Sequence, residues 1–260
     1  MSDYLDYIRR WISTKALSLV KNTVMTAFII VITCVAVKKD VFDTYSATKA
    51  CLFSVLMCCI WSGLFNSIAL FFSERSYLPA DLNKFLHVST YITANFTIQL
   101  FLCAVESIVS AVLFSLFFDF DSVCVVIGNR TVDFFITFFL ITLSADILGL
   151  LVGMMINDIN SIMTVVPIIL IAQLLLSGCL FDLEGIMEKA ANFTTARWGF
   201  YALGSVADLN SMLPEGARLD IFRCEARYVM YCWLLLLLLI IICTFLSGIL
   251  LFAKVNRTDS

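Results

Sequence analysis

The chain is poor in charged residues, in proline and in histidine. Charged residues make up 14% of its 260 positions, proline occurs three times, and His87 is the only histidine. With one histidine and no CxxC pair, no cluster has the spacing of a metal-binding site. Basic residues do not interleave with aromatic ones, so the pattern of a nucleic-acid-binding surface is missing. The sequence therefore predicts neither a metal ion nor a nucleic acid as a partner.

The short motifs of catalysis are missing as well. The sequence contains no GxxxxGK[ST] phosphate loop, no HExxH and no GxSxG, which are the local signatures of nucleotide, zinc-hydrolase and serine-hydrolase sites. We therefore expect no enzymatic activity from this chain by itself, and no cofactor bound by it.

Apolar residues, in contrast, are abundant. They make up 61% of the chain, and the mean hydropathy is +0.98, whereas soluble domains contain about 45–50% apolar residues. A helix that crosses the hydrocarbon core of a bilayer needs about 20 mostly apolar residues, and several runs meet that length. These runs are continuous rather than alternating, which is typical of helices. The predicted class is an all-α polytopic membrane protein.

Six transmembrane helices are predicted, over residues 22–37, 50–72, 91–118, 132–154, 162–181 and 229–252. Residues 1–21 precede them and carry apolar side chains at helical spacing with basic residues on other faces, which predicts a helix at the membrane surface. With the N-terminus inside, the inner segments hold eight Lys and Arg residues and the short outer loops hold four. This asymmetry favours cytoplasmic termini, and it makes the long connection before the last span external.

The fifth predicted span ends at an unusual place. It contains Pro167 and reaches Ser177 and Gly178, where glycine allows the backbone to turn and serine can satisfy freed backbone groups. The connection that follows has apolar residues at helical spacing between Phe193 and Val206. This pattern predicts an amphipathic helix at, or dipping into, the outer interface. A folded external loop without a transport role stays open as the alternative.

Two acidic residues, Glu106 and Asp146, lie near the middle of the third and fourth predicted spans. Acids at this depth are costly and are candidates for function by default. Two interpretations stay open. Either acid could make a helix-packing contact with Asn95, Gln99 or Gln173, or the two could form a proton relay.

Taken in order along the chain, these features resemble the membrane domain of type-2 ABC exporters, the permease type shared with the ABCG subfamily. The resemblance covers nearly the whole chain. It rests on the amphipathic N-terminus, a Glu-Arg pair after the second span, and the later series Pro167, Gln173, Ser177-Gly178, Phe181, Arg197-Trp198 and Tyr201-Ala202-Leu203.

The resemblance implies a role for each part. Residues 1–21 would be the elbow helix, and residues 22–260 the six-helix transmembrane domain with a re-entrant external segment. The interval after the second span would hold a coupling helix that docks on a nucleotide-binding subunit, although by composition an ordinary polar loop fits it too. The second and fifth spans would line a path between two permease copies, identical or different. By group, the implied residues are Glu74, Arg75, Asp81 and Lys84 for coupling, Asn66, Gln173 and Leu176 for the substrate path, and Ser177, Gly178, Phe181, Arg197 and Trp198 for the outer gate.

The leading hypothesis is therefore a permease subunit of an ATP-driven exporter, in the plasma membrane, with ATP and Mg²⁺ bound by a partner subunit. Two alternatives belong to other classes. An ATP-independent, proton-linked carrier would use Glu106 and Asp146. A membrane scaffold would transport nothing.

Overall fold

The computed structural model describes residue 20 and residues 23–37, 41–74, 88–118, 126–156, 158–181 and 183–258. Eight α-helices and no β-strands lie within these ranges. Three 3₁₀ turns, at Leu209–Met212, Glu215–Ala217 and Asp220–Phe222, lie between the last two helices. In chain order the helices are α1 (Thr23–Val37), α2 (Tyr45–Glu74), α3 (Val88–Phe117), α4 (Arg130–Met155), α5 (Ile159–Leu175), α6 (Ile186–Ala191), α7 (Thr195–Val206) and α8 (Ala226–Thr258).

Apolar helices occupy all six predicted positions, but they differ in length. Four of them, in α2, α3, α4 and α8, are long and apolar enough to cross a membrane, so the all-helical class is confirmed for the described residues. The other two, α1 and α5, are shorter apolar helices, and the six-span topology stays a prediction. The predicted elbow helix, residues 1–21, lies outside the described residues except for position 20.

Side-chain caps fix where α4 and α5 begin. The Asn129 side chain accepts a hydrogen bond from the Thr131 N–H at 3.0 Å, and the Asp158 carboxylate accepts one from the Ser161 N–H at 3.0 Å. Each cap satisfies a backbone donor that the first helical turn leaves unpaired. α4 ends at Met155 because the backbone of Ile156 is extended, with φ −100° and ψ 132°, and α5 begins at Ile159.

The core of the bundle forms around α4, which packs against α2, α3, α7 and α8. Glycines allow α2 and α4 to approach closely. A Cβ atom on Gly63 of α2 would lie 2.9 Å from the Asp146 nitrogen, and one on Gly149 of α4 would lie 2.7 Å from the Leu64 carbonyl oxygen. Small residues at a helix interface permit backbone contact, which is how helices pack where lipid weakens the hydrophobic drive.

Phenylalanine rings fill one end of the bundle. Phe114 is fully buried, and its ring makes edge contacts with Phe42 at 6.3 Å and with Phe134 at 5.1 Å between centroids. Phe42 belongs to the turn between α1 and α2 and has a left-handed φ of 69°. Its N–H donates to Thr48 Oγ1 at 2.8 Å, and the Arg130 guanidinium lies 5.9 Å from its ring centroid. These contacts hold the turn against α4.

The last helix, α8, is exposed along much of its length. Leu234, Ile241 and Phe245 are 63%, 64% and 70% exposed, and they recur at spacings that place them on neighbouring parts of one face. An apolar face of this kind is stable in contact with lipid chains rather than with water.

Candidate functional site

The turn after α5 is the first part of the candidate site. Leu176 caps the helix, and the Ser177 hydroxyl donates to the Leu174 carbonyl at 2.7 Å while accepting from the Cys179 N–H at 3.1 Å. Ser177 is fully buried. The helix thus ends at Leu175, six residues before the predicted end of the fifth span, because the serine hydroxyl replaces backbone bonds that a continuing helix would make.

Gly178 turns this segment onto α7. Its φ is +74°, a left-handed conformation that glycine adopts without strain, and a Cβ atom here would lie 3.3 Å from the Tyr201 hydroxyl oxygen. The predicted gate residue Phe181 is 59% exposed and does not belong to this contact. The turn therefore packs on α7 through backbone rather than through a large side chain.

Both ends of α7 are held by side chains from other helices. Gln173 of α5 accepts from the Ala196 N–H at 2.9 Å through Oε1. Arg130 of α4 donates from Nε to the Val206 carbonyl at 3.1 Å. First-turn N–H groups and last-turn carbonyls have no partner within their own helix, so these bonds satisfy groups that would otherwise be buried unpaired. A third contact joins the hydroxyls of Ser144 and Thr195 at 2.8 Å.

Burial of α7 is nearly complete. All of its residues except Trp198 are buried, and the helix packs against α2, α4, α5 and α8. The predicted amphipathic helix is therefore present, and its position at, or dipping into, the outer interface stays a prediction. Phe193, assigned to it from the spacing, lies outside the helix and is 78% exposed.

Arg197 links α7 to the short helix α6. Its Nη1 donates to the Glu188 carbonyl at 3.2 Å, its Nη2 lies 3.6 Å from Glu188 Oε1, and its Cζ lies 5.3 Å from the Tyr201 ring centroid. The neighbouring Trp198 donates from Nε1 to the Asn192 carbonyl at 2.8 Å. Arg197 and Trp198 thus position the segment between α5 and α7, and Arg197 is itself buried.

Glu106 forms a separate polar cluster between α1, α2 and α3. The Asn66 amide donates to its Oε1 at 2.6 Å and the Ser62 hydroxyl donates to its Oε2 at 2.7 Å. The Thr26 hydroxyl donates in turn to Ser62 at 2.9 Å. Glu106 is 4% exposed, and its two hydrogen bonds compensate part of the cost of burying it. Glu106 therefore bonds to Ser62 and Asn66. The predicted partners Asn95, Gln99 and Gln173 are not among these hydrogen-bond donors.

Asp146 lies deeper, in the contact between α2 and α4. It is 1% exposed, and within the described residues its Oδ2 has no hydrogen-bond partner. In that part of the chain, no hydrogen bond joins Asp146 to Glu106. The described residues contain no group of three or more His, Cys, Asp and Glu side chains that could hold a metal ion.

The remaining predicted residues are placed only in part. Asn66 and Gln173 are buried, and each is bonded as described above, while Leu176 is half-buried. Glu74 is the last residue of α2. The other predicted coupling residues, Arg75, Asp81 and Lys84, lie outside the described residues. Their role, like that of the path and gate residues, stays a prediction.

Several residues of the site were missed from the sequence. The predicted site contains neither Arg130, which is one of the four basic residues of the predicted outer loops, nor the hydroxyl residues Thr26, Ser62 and Ser144. One signal was available for Arg130: Asn129 before it is a strong helix N-cap, so an arginine in the first turn of a membrane helix needed a partner for its charge.

The family model described as ABC-2 type transporter matches residues 1–207. The matched range includes α1 to α7 and therefore both the turn after α5 and the buried helix that packs on it. A search of the curated proteins finds no match.

Proposed function

The chain belongs to the ABC-2 type transporter family, and from this we propose that it is the permease subunit of an ATP-driven exporter. It is an integral membrane protein, and an ABC-2 membrane domain is a permease domain. The single observation that carries the proposal is the family match over 207 of the 260 residues. ATP and Mg²⁺ would bind to a partner nucleotide-binding subunit.

Coupling to that partner would occur between α2 and α3. Glu74, Arg75, Asp81 and Lys84 would provide the docking charges on the cytoplasmic side. Because the glycine contacts hold α2 and α4 together at backbone distance, force applied at the end of α2 would move both helices as one body. Alternating access by rigid-body motion requires a unit of this kind.

The outer gate would be the turn after α5 together with α7. Gln173 bonds directly to α7, so a shift of α5 either carries α7 with it or breaks that bond. We propose that Asn66, Gln173 and Leu176 face the substrate path in the outward-opening state, and that Ser177, Gly178, Phe181, Arg197 and Trp198 close it in the resting state.

Co-expression with candidate nucleotide-binding subunits tests the coupling role. Reversing two charges in the variant Arg75→Glu, Lys84→Glu should weaken stimulation of the partner's ATPase at least roughly tenfold, which corresponds to about 1.4 kcal/mol, because the new charges would oppose those of the docking site. Deletion of residues 74–86 should abolish it. Glu184→Lys, an exposed position before α6, is the control for a change of charge. Normal assembly with the partner and normal stimulation of its ATPase after the deletion would contradict the coupling role.

A second candidate, proton-linked transport, is favoured by the buried hydrogen-bond chain from Thr26 through Ser62 to Glu106. The substitution Glu106→Gln separates the two functions. In an ATP-driven exporter the amide keeps an acceptor for Ser62 or Asn66, and ATP-dependent transport should persist. In a proton-linked carrier the same variant should lose transport altogether. Uptake into vesicles, measured with and without ATP and a proton gradient, distinguishes the outcomes.

A further inference from the structure

A buried amide lines a small pocket between α3, α4 and α8, away from the gate and from the Glu106 cluster. Gln99 of α3 is 1% exposed. Within the part of the chain that the structure describes, neither its Nε2 nor its Oε1 has a hydrogen-bond partner. Ile147 and Leu150 of α4 and Ser247 of α8 line the same pocket. An amide with both groups unpaired is costly away from water, so the pocket favours a ligand that both donates and accepts.

The opposite wall of the pocket supplies acceptors. The Thr244 hydroxyl donates to the Ile240 carbonyl at 2.7 Å, and the Ser247 hydroxyl donates to the Cys243 carbonyl at 2.8 Å. Each hydroxyl proton is therefore already used, while the oxygens keep acceptor lone pairs. A group bound between α3 and α8 would accept from Gln99 Nε2 and donate either to Gln99 Oε1 or to one of these oxygens.

Size and position narrow the ligand further. The cavity measures about 10 Å³, close to the space that one water molecule needs. Gln99 and Ser247 both lie within candidate membrane spans. Phe96 of α3 also lines the pocket and is only half-buried, so the pocket lies close to the surface of the bundle. Its volume excludes a phosphate or a carboxylate with its counter-ion.

We propose that this pocket, the Gln99 pocket, binds one hydroxyl group, supplied either by an ordered water or by the alcohol headgroup of a membrane amphiphile. Such a group bridges α3 to α8 and satisfies the amide at bilayer depth. The site is separate from the path proposed between permease copies, so it stands whether or not the exporter proposal holds.

The test uses the full chain in lipid nanodiscs and two probes with the same number of heavy atoms, 1-decanol and nonyl methyl ether. Only the alcohol can donate a hydrogen bond. We expect 1-decanol to raise the unfolding temperature by about 2 °C or more beyond the ether, a shift typical of modest ligand binding in a chain of this size. Gln99→Leu should remove that difference. The matched control Thr97→Val removes a hydroxyl from an exposed position of the same helix and should keep it.

A high-resolution electron-microscopy map of the wild type distinguishes the two sources. An alcohol-specific shift that Gln99→Leu removes identifies a lipid hydroxyl. Without that shift, an isolated density peak about 2.7–3.1 Å from both Gln99 and Ser247 identifies water. No alcohol-specific shift together with no density at the amide overturns the proposal, as does an amide bonded to a protein group instead. If Gln99→Leu does not fold, Gln99→Met preserves the length of the side chain and takes its place.

Discussion

Gln173 connects two helices through a single atom. Its Oε1 holds the N–H of Ala196, 23 positions along the chain, at the point where α7 would otherwise begin with an unpaired donor. A shorter or apolar side chain cannot make this bond, so the residue type matters more than its burial. The same residue was predicted to face a substrate path, and its bond to α7 gives that path a direct connection to the proposed gate.

Substitutions of Gln173 that remove the oxygen acceptor for the Ala196 N–H should lower the stability of α7, and substitutions that keep an acceptor should not. We expect Gln173→Leu to destabilise the helix by about 1–3 kcal/mol, because it leaves a buried N–H unpaired. Gln173→Glu keeps an acceptor oxygen and is the matched control. Hydrogen exchange of the peptide covering residues 195–206 should be faster in the leucine variant. Equal exchange in both variants would show that the bond does not hold the helix.

Between elements, α2 and α4 pack at backbone distance. Gly63 and Gly149 bring the two backbones together, and Ile60, Leu64 and Ile141 are fully buried members of the same hydrophobic core. Packed helices of this kind respond to a small change in volume, since neither backbone can move away without disturbing the other contacts.

Gly149→Ala should therefore be harmful although alanine is the better helix former. The added Cβ would meet the Leu64 carbonyl oxygen at 2.7 Å, and we expect a loss of about 1–3 kcal/mol from overpacking. The control Gly216→Ala adds the same methyl group where nothing lies within 4 Å. Thermal unfolding in detergent measures both. A Gly149→Ala variant as stable as Gly216→Ala would contradict the close-packed interface.

Features that depend on neighbouring residues could be predicted from the sequence, whereas contacts between residues far apart along the chain could not. Continuous apolar runs predict the long helices, and Ser177 with Gly178 predicts the end of α5, because both signals are local. The bonds from Thr26 to Ser62 and from Trp233 to Thr137 join residues 36 and 96 positions apart. No local pattern marks such pairs. For the same reason the packing of α7 against four other helices cannot be predicted from the spacing within α7.

For the whole molecule, the apolar face of α5 is the surface that the family resemblance places against a second permease copy. Ile168 and Ile171 are 60% and 57% exposed, and within the described residues α5 makes its main helix contacts with α2 and α7. A helix with this much free apolar surface is suited to a partner helix as well as to lipid.

Cysteine cross-linking in membranes tests that arrangement. We expect Ile171→Cys to form a disulfide-linked dimer above the wild-type background, whereas Phe245→Cys on the exposed face of α8 should not. Two differently tagged copies reveal whether the linked partner is the same chain. Equal cross-linking at the two positions would contradict an interface through α5.

The bonds at the two ends of α7 also set an order in time. Synthesis proceeds from the N-terminus, and contacts form only when both partners have been made. The Val206 carbonyl is synthesised 76 residues after Arg130, and Thr195 is synthesised 51 residues after Ser144. Until then α4 sits in the membrane with a cation and a hydroxyl that lack these partners. The insertion of α7 consequently supplies these two partners, and the bond from Trp233 of α8 to Thr137 forms later still, so α4 acquires its contacts in two steps after its own synthesis.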